Sequence, residues 1–62
     1  MNNIKTYRIN RFAEVEGNNA TGWYVINLVL GVEEGPTHPT FAAAREAANF
    51  LNLHYSAMER GY

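Results

Sequence analysis

Residues 41–58 read FAAAREAANFLNLHYSAM. That stretch constrains the fold most: its alanine content gives it high helix propensity, and its apolar surface exceeds what one layer of contact needs. At about 100° per residue, Phe41, Ala44, Ala47, Ala48, Leu51, Tyr55 and Met58 form a main stripe at the 3,4 spacing of a core face. Ala43, Phe50, His54 and Ala57 widen that stripe sideways. The arc is then on the order of 200°, against a minimum of about 100° for a helix resting on a single layer. Arg45, Glu46, Asn49, Asn52, Ser56, Glu59 and Arg60 make the polar remainder. Thr40 stands where an N-cap belongs and Gly61 where a helix stops, so the spacing predicts a helix over about 40–60.

Upstream, residues 4–16 alternate as in a half-buried strand: Tyr7, Ile9, Ala13 and Val15 share one parity, and Thr6, Arg8, Asn10, Glu14 and Glu16 the other. Arg11 and Phe12 break the alternation together, which reads as a bulge or as an aromatic on the second face. The cluster Gly17-Asn18-Asn19-Ala20-Thr21-Gly22 reverses the chain. A second strand is expected over 23–32, with Tyr24, Ile26, Leu28, Leu30 and Val32 on one face and Trp23, Val25 and Val29 on the other. Both faces are apolar, as in a strand covered on both sides. Glu33-Glu34-Gly35-Pro36-Thr37-His38-Pro39 is expected to end it, because prolines cannot continue a ladder. The prediction is a single α+β domain over 1–62, a β-hairpin followed by one C-terminal helix, ββα.

A chain of 62 residues buries a small share of its surface and needs a supplement. It has no cysteine and no aspartate, and its two histidines, His38 and His54, are far apart in sequence, so neither a disulfide framework nor a dedicated metal site is expected. No cofactor is implied. What remains is association: Phe50, His54 and Ala57 on the helix flank and Trp23 and Val25 on the second strand's spare face are the expected partner or dimer contacts. A homodimer would join two hairpins into a four-stranded sheet and cover one self-complementary patch. Burying one Phe in such a patch is worth roughly 1.5 to 3 kcal/mol, a large share of a small fold's stability.

Catalytic equipment is not expected. Ser56 and His54 point to different sides of the helix, so they make no nucleophile–base pair. Glu14/Glu16 and Glu33/Glu34 are expected at opposite ends of the hairpin, the second pair beside Lys5, and share no acid/base site. Gly31 to Gly35 lacks the glycines and lysine of a phosphate loop. The Asn19-Ala20-Thr21 sequon reads as a turn. The opening MNNIKTYRIN has no apolar h-region and no small-residue cleavage site, and Trp23–Leu30 is too short to span a bilayer, so a soluble cytoplasmic protein is expected, without membrane partners.

The formal net charge of −1, five Lys and Arg against six Glu, gives no whole-molecule attraction to a polyanion. A local patch is the alternative: Lys5, Arg8 and Arg11 interleave with Tyr7 and Phe12, so a nucleic-acid-binding ββα protein using the first strand is the second reading. Parity sets Arg8 opposite Lys5 and Arg11 unless a bulge intervenes.

GWYVINLVLGVEEGPTHPTFAAAREAANFLNL resembles the second half of a double-stranded-RNA-binding domain, where strands lead into a helix of pattern A-x-x-x-A-A-x-x-x-L. Ala43, Ala47, Ala48 and Asn52 or its neighbour Leu51 occupy those positions here. The family's helix starts with consecutive lysines; this chain has Thr40, Phe41 and Ala42, and it lacks the family's first helix, so RNA binding is not carried over. The ββα order is also similar to small accessory proteins of phages and mobile elements, a likeness that implies a host protein as partner. The leading expectation is a non-catalytic, homodimeric protein-interaction module.

Overall fold

The computed structural model describes residues 4–60. The chain forms β1 (Lys5–Arg8), β2 (Ala13–Asn18), β3 (Gly22–Asn27) and β4 (Val32–His38), followed by one helix, α1 (Phe41–Glu59). The strands make one antiparallel sheet in the order β1-β2-β3-β4, and α1 crosses one of its faces. The α+β class with strands preceding a single helix is as expected. Four strands come from one chain, however, so the sheet expected of two hairpins is complete in a single copy. Gly61, expected as the helix stop, lies outside the described residues.

The extra strands arise because each expected strand is itself a hairpin. Within 4–16 the parity break at Arg11 and Phe12 is a turn. The Asn10 Oδ1 accepts from the Phe12 amide at 2.9 Å, and the amides of Ile9 and Asn10 donate to the Ala13 carbonyl. The other end of the same side chain donates to the Ala48 carbonyl at 3.0 Å, tying this turn to the helix. Within 23–32 the apolar run Leu28-Val29-Leu30 is also a turn. The Asn27 Oδ1 accepts from the amides of Val29 and Leu30 at 2.9 and 3.0 Å, and Gly31, at φ +74°, donates to the Asn27 carbonyl at 2.7 Å. An asparagine before the turn and a glycine able to adopt positive φ at its end decide the reversal. Hydrophobicity does not.

The segment expected to terminate the second strand is instead the edge strand β4. Glu34 pairs with Val25 and His38 with Trp23, so Gly35, Pro36 and Thr37 together oppose Tyr24 in a bulge. Proline is tolerated there because an outer edge has no further ladder to donate to, and bulge, proline and glutamates all blunt the edge against pairing with another chain.

The core lies between sheet and helix. Ala13, Val15, Trp23 and Val25 meet Ala44 and Ala48, with Ile9, Phe41, Ala47 and Leu51 around them. This reverses the expected faces of the second strand: Trp23 and Val25, expected on a spare face, are 6% and 1% exposed beneath the chain's own helix, and Tyr24 and Ile26 take the open face. The physical reason is steric fit. Trp23 lies opposite Gly17, which has no side chain to compete for the space, and Ala44 and Ala48 let the helix approach closely. The Phe41 ring then meets Trp23 edge-on at 5.3 Å and Tyr7 at 5.1 Å. Thr40 caps α1 as expected, its Oγ1 accepting from the Ala43 amide at 3.1 Å.

Candidate functional site

The helix rests chiefly on β2 and β3 and only skirts β4. Its flank on the β4 side is therefore left without cover. Phe50 is 64% and Leu53 66% exposed, three residues apart on one face, and His54 and Ala57 beside them are exposed as well. Phe50, His54 and Ala57 are thus brought together as the sequence suggests, whereas Trp23 and Val25 are not part of this surface. Leu53 is the residue that sequence reading missed; its position one turn from both Phe50 and Ala57 was the available signal.

Between this flank and β4 runs a shallow apolar depression of about 280 Å³, with Val25 and Leu51 at its floor and Glu34, Pro36, His38, Ala47 and Phe50 around it. A neighbouring hollow of about 240 Å³ is bounded by His38, Ala43, Glu46, Ala47 and Phe50. Small alanines next to a protruding phenylalanine and leucine give the surface both hollows and knobs. Chemically it offers dispersion contact and water exclusion, with the Glu34 and Glu46 carboxylates and the His38 imidazole at the rim.

Compared with known proteins, the chain matches no family model, no curated protein and no solved structure.

The basic residues of the second reading do not share a surface. Lys5 pairs with Gly17 and so lies on the helix side of the sheet, while Arg8 pairs with Glu14 on the open side. The Arg8 guanidinium turns back to donate to the carbonyls of Asn10 (2.7 Å) and Arg11 (3.2 Å). Arg11, in the turn, lies over the Phe12 ring and forms an ion pair with Glu59 at 3.2 Å. Arg8 also shares its face with Glu14, Glu16 and Glu33.

Two glutamates expected at opposite ends of a hairpin in fact lie in one cross-strand row, Arg8–Glu14–Ile26–Glu33. Glu33 is therefore not beside Lys5. Two strand spacings, about 10 Å, separate the backbones of Glu14 and Glu33. In the next row Glu16 accepts from the Thr6 hydroxyl at 2.9 Å and from the Tyr24 hydroxyl at 2.6 Å. The phenol's hydrogen bond to a carboxylate is the main reason that its pKa is raised; partial desolvation and the charges of Glu16 and Glu33 push the same way. Ser56 donates to Asn52 Oδ1 at 3.4 Å, and His54 meets the Tyr55 ring edge-on at 5.1 Å, so the two are engaged separately. Among the described residues no three metal-ligating side chains converge, and no helix is long and apolar enough to cross a membrane.

Proposed function

We propose that this chain is a non-catalytic protein-interaction module that associates as a homodimer through the α1 flank centred on Phe50. The observation that carries the reading is the side-by-side exposure of Phe50 and Leu53 next to an apolar depression, on a chain whose sheet is already complete. Exposed aromatic and aliphatic side chains bordering hollows are what an interface core requires, and a small domain gains most from covering them. In this reading the polar helix face apart from Glu46, together with the loops, remains free in the dimer, and a host protein, as for the accessory proteins of phages and mobile elements that the ββα order resembles, is the partner they would meet. The cytoplasm is the compartment that goes with it.

Solution mass by light scattering behind a sizing column, at low and moderate salt, tests the reading. Twice the chain mass is expected, falling to one chain mass in Phe50→Glu with the circular dichroism unchanged. A single-chain mass for the unsubstituted protein at both salts would overturn the homodimer.

A further inference from the structure

The α1 flank carries a pattern with a specific symmetry. Phe50 is the middle residue of the helix Phe41–Glu59, so a second copy laid antiparallel with its two-fold axis at Phe50 would overlap the whole helix, about 28 Å. In that arrangement residues equally distant from Phe50 face each other across the axis. Ala47 then lies level with Leu53 along the helix pair, each on its own side of the Phe50 line. Ala43 opposes Ala57, where two small side chains allow close approach. Glu46 opposes His54, a carboxylate against an imidazole that donates N–H to it in its neutral or its charged form. Each relation occurs twice by symmetry.

The sheet leaves room for this partner. Because α1 skirts β4, the strip of sheet beside it is uncovered on the helix side, and Ala47 borders the depression there. The blunted β4 edge points away from edge-to-edge strand pairing as the means of association.

We infer that the occupant of the α1 flank is a second copy of this chain, held helix to helix in an antiparallel two-fold arrangement centred on Phe50, with Glu46 of each copy against His54 of the other. The inference rests on the homodimer reading above and adds its geometry.

The chain has no cysteine, so introduced thiols report on geometry without interference. Ala43→Cys and Ala57→Cys proteins are prepared separately, then oxidised alone and mixed. Expected is a disulfide-linked dimer in the mixture joining Cys at 43 to Cys at 57, and little linkage in either protein alone, because only opposed positions bring the backbones within disulfide range. Should either variant fold poorly, the exposed positions Glu46 and His54 provide an equivalent cysteine pair. A second measurement uses charge: Glu46→Lys and His54→Glu each weaken dimerisation roughly tenfold, and the double variant recovers most of the loss. Self-linkage of the single variants, or no linkage in the mixture, with dimer mass retained would overturn the two-fold geometry and leave the homodimer standing. Single-chain mass for the unsubstituted protein would overturn both.

Discussion

The Asn27 side chain is fully buried and donates from Nδ2 to the Tyr55 hydroxyl at 3.0 Å, joining the β3–β4 turn to the C-terminal half of α1. The same side chain donates to Glu34 Oε1 at 3.3 Å and accepts from two turn amides. No buried side-chain polar atom lacks a partner among the described residues. One asparagine therefore shapes the turn and fixes where the helix lies over the sheet.

Replacing Asn27 separates these roles from simple bulk. Asn27→Ala leaves the Val29 and Leu30 amides without their acceptor and opens a small cavity, which should cost about 2 to 4 kcal/mol. Tyr55→Phe removes one hydrogen bond and should cost about 0.5 to 1.5 kcal/mol. Urea unfolding followed by circular dichroism measures both. Equal costs would show that the turn amides find other partners and that Asn27 acts only through Tyr55.

Two glycines make contrasting predictions. A Cβ at Gly17 (φ +146°) would collide with the Gly22 carbonyl oxygen, backbone that cannot move without breaking the β2–β3 ladder, whereas a Cβ at Gly31 (φ +74°) meets nothing within 4 Å. Gly31→Ala should cost only the left-handed backbone penalty, about 1 to 2 kcal/mol. Gly17→Ala should cost about 3 kcal/mol or more, since strain is added to collision. The ordering of the two thermal midpoints checks this, and the reverse ordering would place Gly17 outside the constrained ladder.

The fate of the expected elements follows from what sequence patterns encode. The helix and its Thr40 cap were legible because a nineteen-residue amphipathic stretch presents many turns of consistent periodicity. The sheet was only half legible. Val29 and Leu30 look like strand residues and sit exposed at a turn, because the reversal is set by Asn27 and Gly31 on either side of them. Strand parity separated Trp23 and Val25 from Tyr24 and Ile26 correctly, but parity carries no information about which set faces the helix. That choice depends on Gly17 lying across from Trp23 in the neighbouring strand, a relation of register rather than of sequence spacing. Phe50, His54 and Ala57 were legible as a flank because helical geometry alone groups them.

On the open face, Tyr24 should titrate above its ordinary value of about 10. Its hydroxyl donates to Glu16, and ionisation would lose that bond and set two negative charges together. The fold thus holds the phenolic proton more tightly than the unfolded chain does. Its contribution to stability is fully present below about pH 10 and is lost as pH rises through the raised folded value. Phenolate absorbance of the unsubstituted chain minus that of Tyr24→Phe isolates this group from the other tyrosines. Glu16→Gln should move the midpoint back down; a midpoint at or below the ordinary value in the unsubstituted chain would mean that the hydrogen bond does not persist in solution.

Trp23 and Phe50 are both large aromatics, and only one belongs to the core. Trp23→Ala removes an indole packed against Phe41, Tyr7 and the alanine face of α1, which should cost about 3 to 5 kcal/mol. A chain of this size holds little more than that in reserve, so the variant should be largely unfolded at any protein concentration. Phe50→Ala removes an exposed ring, and in dilute solution its thermal midpoint should lie close to that of the unsubstituted chain. With the proposed homodimer the two should separate at high concentration, because association would stabilise only the chain that retains Phe50, and the midpoint of that chain alone should rise with concentration. Midpoints measured across a hundredfold range of concentration decide the point. If the Phe50→Ala midpoint tracked the unsubstituted one throughout that range, the ring would have no role in self-association, and if neither midpoint moved with concentration, the flank would be an ordinary wet surface of the monomer.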